Sequence, residues 1–159
     1  MNPYLHTAEQ GETFDDALLD TPDGPEMMVL TAIRTWRQPH CGVRRARLDW
    51  SRMLVDAGLR GDSVERFDMV MSALMRAPTR PLETFCRCAT AMTSDETSLL
   101  QAIALLQRTR STAAVALLSE WRTQPFASEL LKLIRWLAID LLDAGIEIRI
   151  RDRDATYVH

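Results

Sequence analysis

QPFASELLKLIRWLAIDLLDAG, residues 124–145, decides the fold. Within it Phe126, Leu130, Ile134, Leu137 and Leu141 recur at intervals of three and four, the period of one helical face. Pro125 stands at the front, where its missing N–H has no helical partner to lose. Gly145 stands just past the end, where a left-handed residue is wanted. The stretch predicts a long amphipathic helix.

Upstream the same period returns. Gly24 and Pro25 open a helix to about Arg37, with Met27, Leu30, Ile33 and Trp36 on one face. Pro39 stops it. A second helix is expected from Cys41 to Ala57, through Val43, Ala46, Trp50, Met53 and Ala57, with Arg45–Asp49 and Arg52–Asp56 spaced for pairing. Gly58 and Gly61 mark its exit. Asp62 and Glu65 are spaced as a capping box before Val64, Phe67, Met71 and Leu74. Thr93 and Glu96 repeat that spacing before Leu99, Ile103 and Leu106. Ser111 is the expected cap of a helix through Val115, Leu118 and Trp121.

Beyond Gly145 the period changes. Ile146, Ile148 and Ile150 alternate with Glu147, Arg149 and Arg151, as in a half-buried strand. One strand in a helical chain must lie along helices, pair with residues 82–86, or pair with a second copy. The last option predicts a homodimer through residues 146–150. The fold class is therefore all-α: one domain of about six helices over residues 25–159, with an acidic extension at 1–24 and a short extended C-terminal segment.

Length and composition agree with one domain. The 159 residues are 47% hydrophobic and 26% charged, ordinary values for a globular protein. No apolar run before Glu129, Lys132, Arg135 or Asp140 interrupts it is long enough for a membrane span. The N-terminus has no basic region followed by an apolar one, so no signal peptide is expected. Three cysteines suit a reducing compartment, and a cytoplasmic location is the expectation.

Charge is unevenly placed. Residues 1–24 carry Glu9, Glu12, Asp15, Asp16, Asp20 and Asp23 and no Lys or Arg. Residues 32–52 carry Arg34, Arg37, Arg44, Arg45, Arg47 and Arg52 against Asp49. That arginine face is the candidate surface for a partner or an anion, the acidic N-terminus in cis being the favoured one. Nucleic acid is the alternative, with Trp36 or Trp50 as a base-stacking platform. The net charge of −3 weighs against it.

Chemical motifs are sparse. His40, Cys41, Cys86 and Cys88 are four soft ligands, the number a tetrahedral zinc takes. Their spacing is wrong for a chain turning round one ion, so no metal is expected. The dithiol motif of redox proteins has two intervening residues and Cys86-Arg87-Cys88 has one. Asp95 and Glu96 sit where carboxylates complement a helix N-terminus, which accounts for them without catalysis. No phosphate loop, dinucleotide fingerprint or nucleophile elbow is present. The sequence leans away from an enzyme and needs no cofactor. Its leading reading is a helical interaction or scaffold protein, with a nucleic-acid regulator and a zinc-stabilised module using Cys86 and Cys88 as alternatives.

Overall fold

A computed structural model describes residues 21–38, 49–76, 80–122 and 125–151. Six helices occupy them: α1 Gly24–Arg37, α2 Trp50–Asp56, α3 Gly61–Met75, α4 Ser94–Gln107, α5 Ser111–Trp121 and α6 Phe126–Asp143. No strand is present among the described residues. No described helix is long and apolar enough to cross a membrane.

The core forms around α4, which packs on α5 and α6, while α3 packs on α6 and α1 on α2. Ser98–Ala104 of α4 are buried without a break, so this helix has no solvent face over two turns. Of the side chains the apolar period assigns to the interior, Phe67, Leu99, Leu118, Ile134 and Leu137 are buried, and Trp50 is half-buried against Phe67 with ring centroids 5.5 Å apart.

Local chemistry explains the helix ends. Asp23 and Glu26 form a reciprocal capping box on α1, as Thr93 and Glu96 do on α4. Gly145 takes φ +78°. Its N–H donates to Leu142 O at 2.8 Å and the Ile146 N–H to Leu141 O at 2.8 Å, the double bond of a Schellman ending. Gly58, at φ +106°, ends α2 in the same way.

Several expected boundaries move. Asp49 is extended and caps α2 by accepting from the Ser51 and Arg52 N–H groups, so a helix begins at Trp50 instead of running through Asp49 from Cys41. Leu54, not Met53, is the buried residue of α2. α3 starts at Gly61, which puts Asp62 inside the first turn and not at the cap. Arg110 precedes α5, so Ser111 is its first residue, and Val115 is exposed while Ala114 is buried.

The C-terminal segment 146–151 is extended and lies along α4. Two glutamines of that helix replace the missing strand. Gln107 donates to Ile146 O at 2.8 Å and accepts from the Ile148 N–H at 2.8 Å. Gln101, six residues earlier on α4, accepts from the Arg151 N–H at 3.0 Å and donates to Arg149 O at 3.4 Å. Arg108 adds a bond to Ile148 O at 2.6 Å and an ion pair with Glu147 at 3.0 Å. Ile148 is wholly buried beneath this clamp. The N–H and C=O groups of Ile146 and Ile148, Arg149 O and the Arg151 N–H thus have partners within the chain, so the pairing argument for a dimer at residues 146–150 does not rest on them.

The end of the segment meets the start of α1. Arg151 donates to both Glu26 carboxylate oxygens at 2.7 and 3.1 Å, and Arg149 lies 3.3 Å from Glu26 and 3.7 Å from Asp23. Both guanidinium groups also reach Thr21 O. Of the acidic N-terminal residues Asp23 thus lies beside Arg149, and Glu9, Glu12, Asp15, Asp16 and Asp20 lie outside the described residues.

Candidate interaction surface

The buried side of α6 is Ala127, Leu130, Ile134, Leu137, Ala138 and Leu141. Its opposite side holds a second apolar stripe. Trp136 is 57% exposed and Ile139 43%. A tryptophan left so open is unusual, because its ring holds more apolar surface than any other side chain. Lys132 stands one turn before this pair and Asp143 one turn after it, both exposed.

Beside the stripe runs a groove of about 480 Å³ between α3 and α6, floored by Ser63 and Asp140 and rimmed by Arg60, Trp136, Ile139 and Asp143. Arg66 organises it. Its guanidinium donates to Asp140 at 2.6 and 2.8 Å and to Asp62 at 3.2 Å, and it lies 5.9 Å from the Trp136 ring centroid. The bond to Asp140 raises the Arg66 pKa still further, so the group stays a fixed cation beside the indole. Trp136 is thereby held against a charged pair that is itself anchored on two helices. The groove has a preset shape.

Arg34 does not belong to the expected arginine face. Arg34 is 1% exposed and turned inward. It donates to Glu96 through Nε at 2.7 Å and Nη2 at 2.9 Å, and to Ala89 O and Ala91 O at 2.9 and 2.8 Å. A buried guanidinium with these partners has no surface to offer an anion. Arg37 is half-buried and Arg52 exposed, and Arg44, Arg45 and Arg47 lie outside the described residues. Trp36 donates its indole N–H to Asp68 at 2.7 Å and packs against the core, as does Trp50, so both indoles are engaged in the fold.

Asp95 and Glu96 do more than complement a helix end. Both are buried. Asp95 accepts from Arg80 at 2.7 and 2.8 Å, from the Glu83 N–H at 2.9 Å and from the Trp121 indole at 2.9 Å. Burial pushes its carboxyl up, but the bonds from Arg80, Glu83 and Trp121 outweigh that and hold it below the ordinary value of 3.8. Glu96 accepts from Phe85 and Thr93 N–H groups as well as from Arg34. Together the two carboxylates fasten residues 80–93 onto α4.

Cys86 and Cys88 come together in that fastened stretch, with Sγ atoms 3.0 Å apart. His40 and Cys41 lie outside the described residues. No cluster of three or more His, Cys, Asp or Glu able to hold a metal ion occurs among the described residues.

Sequence reasoning missed Trp136 and Ile139 as an exposed pair. The signal was present: each stands off the 126–130–134–137–141 stripe by too large an angle to share it. It also missed the arginine partners of Asp95 and Glu96, for which no local signal exists. No family model, no curated protein and no solved structure matches the chain.

Proposed function

We propose that the protein is a non-enzymatic helical interaction module that works as a homodimer, and that its contact surface is the exposed stripe of α6. The observation that carries this reading is the order of residues on that stripe. Lys132, Trp136, Ile139 and Asp143 are spaced four, three and four apart. The spacing reads the same in both directions. When two copies of α6 cross antiparallel about a two-fold axis between Trp136 and Ile139, each Trp136 meets the partner copy's Ile139 position. Each Lys132 meets the partner copy's Asp143 position. A two-fold contact must be self-complementary in this way. The groove beside Ile139 offers each incoming indole a pocket, the arrangement in which aromatic anchors contribute most to binding. A cytoplasmic setting belongs to the same proposal.

Against the nucleic-acid alternative stand the burial of Arg34 and the half-buried positions of Trp36 and Trp50; Arg52 is exposed, and Arg44, Arg45 and Arg47 lie outside the described residues.

Sedimentation of the full chain tests the dimer. Trp136→Ala should weaken self-association by at least about 2 kcal/mol, roughly thirtyfold in dissociation constant. Lys132→Asp and Asp143→Lys should each weaken it by opposing like charges at both symmetric contacts. The double variant Lys132→Asp/Asp143→Lys should recover most of the loss. A full-length chain that stays monomeric at high micromolar concentration overturns the proposal. So does a double variant no tighter than the singles.

A further inference from the structure

The interaction surface makes no use of the thiols of Cys86 and Cys88. We propose that Cys86 and Cys88 are a dithiol–disulfide couple that exchanges with small disulfides of the glutathione class.

Geometry carries the inference. One residue separates the cysteines, and an extended chain places such side chains on one side. Here the chain also turns: the Ala89 N–H donates to Cys86 O at 3.0 Å, closing a β-turn from Cys86 to Ala89. The turn brings the sulfurs to 3.0 Å. Cys86 is half-buried and Cys88 exposed, so a small reagent reaches the pair from solvent.

The turn is bolted down from both sides by a buried ion pair. Glu96 accepts from the Phe85 N–H at 3.2 Å, immediately before the first cysteine. Arg34 donates to Ala89 O and Ala91 O, immediately after the second. The thiols are thus held together before any bond forms, which removes most of the entropy cost of closing the ring. The electrostatics favour Cys86 as the attacking sulfur. The Cys88 thiol bond lowers its pKa, and although burial opposes this, the Cys88, Ala89 and Cys86 N–H groups turned toward the sulfur lower it further. A thiolate held by such donors is the reactive form.

The exchange balances as follows. The Cys86 thiolate attacks one sulfur of the small disulfide and the S–S bond breaks. One small thiolate leaves and takes up the proton that Cys86 gave to solvent, and a mixed disulfide remains on Cys86. Cys88 then loses its proton and attacks the Cys86 sulfur, expelling the second small thiol. Two protein thiols are oxidised, and one small disulfide is reduced to two thiols.

The test uses the full chain and oxidised glutathione. Trypsin cuts after Arg87 and so separates the two cysteines into different peptides unless a disulfide joins them. After treatment the chain should lose two hydrogens in mass, carry no glutathione, and yield Cys86 and Cys88 peptides linked to each other. Cys88→Ser should instead retain glutathione on Cys86, because no second thiol resolves it. Glutathione persisting on both cysteines of the unmodified chain overturns the proposal, as does a link from either one to Cys41. Stoichiometric zinc on the isolated protein that shields both thiols from glutathione overturns it too, in favour of a metal site.

Discussion

The two ends of helix α4 solve the same problem with different chemistry. Each end holds an irregular stretch of chain whose backbone polar groups need partners. At the N-terminal end, Asp95 and Glu96 hold residues 80–93 through buried charge, with Arg80 and Arg34 as counterions. At the C-terminal end, Gln101 and Gln107 hold residues 146–151 through neutral amides. An amide carries an NH2 donor group and an acceptor oxygen side by side, which matches a peptide unit and lets a helix stand in for the neighbouring strand. A carboxylate offers acceptors only, so it must collect N–H groups and a guanidinium. Loss of one partner therefore leaves a buried charge uncompensated at the Asp95–Glu96 end, and neutral groups unpaired at the two glutamines.

The largest expected effect follows at the charged end. Arg34→Ala leaves Glu96 buried and uncompensated and should cost about 3–5 kcal/mol in urea unfolding. The pair Arg34→Met/Glu96→Gln should recover part of it, since it removes both charges and the glutamine oxygen still accepts from one of the Phe85 and Thr93 N–H groups, which bond different oxygens of Glu96. A loss below about 1 kcal/mol for Arg34→Ala would mean the ion pair is not a fastening. Acid sharpens the contrast. The Asp95 carboxyl is depressed in the folded state, so its contribution is fully present above its unfolded value of 3.8 and is lost as pH falls through the folded value. Stability should be insensitive to Asp95 between pH 5 and 7, by about one unit or more of margin from that value. It should fall on acidification in a way that Asp95→Asn abolishes. Gln101 and Gln107 do not titrate. Glu26, which holds Arg151 beyond them, also stands below its ordinary value of 4.5: burial raises it, and Arg151, the Asp23 N–H and Arg149 lower it by more. Glu26→Gln therefore separates its acid response from that of Asp95.

At the neutral end, Gln107→Ala strips partners from Ile146 O and the Ile148 N–H and should cost about 1–3 kcal/mol. Hydrogen exchange at Ile148 should accelerate while exchange in α3 keeps its protection. Uniform acceleration across both would show that the segment unfolds only with the whole domain.

How much of this could be read from the chain depends on sequence distance. Thr93 and Glu96 lie three apart, and their capping box is legible because helical geometry fixes what residues three apart can do. Gly145 was legible for the same reason. The Asp23–Glu26 box has the same spacing and is legible on the same ground. Arg34 and Glu96 are 62 residues apart, and nothing local tells a buried arginine from the exposed ones near it. The alternation from Ile146 to Ile150 correctly gave an extended segment with one buried face. It could not name the partner, because a glutamine on a helix carries no mark that it will serve as a strand. Asp62 failed for a different reason: Gly61 entered the helix, and the cap position fell to Arg60. The stripe of the candidate surface was written in the spacing of Trp136 and Ile139, on the face of α6 that core-seeking periodicity ignores.

The smallest effect sits where the C-terminal end of α4 turns away. Thr109 takes φ +57°, and it is the one described residue other than glycine with positive φ. The reason is visible in its hydrogen bonds. The Arg110 N–H donates to Leu105 O at 2.9 Å and the Thr109 N–H to Leu106 O at 3.1 Å, the same Schellman pair that Gly58 and Gly145 complete elsewhere. Three helices end alike, and two use glycine. A β-branched residue is strained in the left-handed region, because its Cβ crowds the backbone carbonyl. Thr109→Gly relieves that strain but gives the unfolded chain more freedom, so the two terms partly cancel. The net expectation is a gain of about 0.5–1 kcal/mol, seen as a raised urea midpoint with unchanged slope. Thr109→Ala keeps a Cβ and should give less. If glycine lowers the midpoint, the Thr109 hydroxyl bond to Arg108 O at 2.7 Å contributes more than the strain costs, and the left-handed threonine is a stabilising feature of this turn.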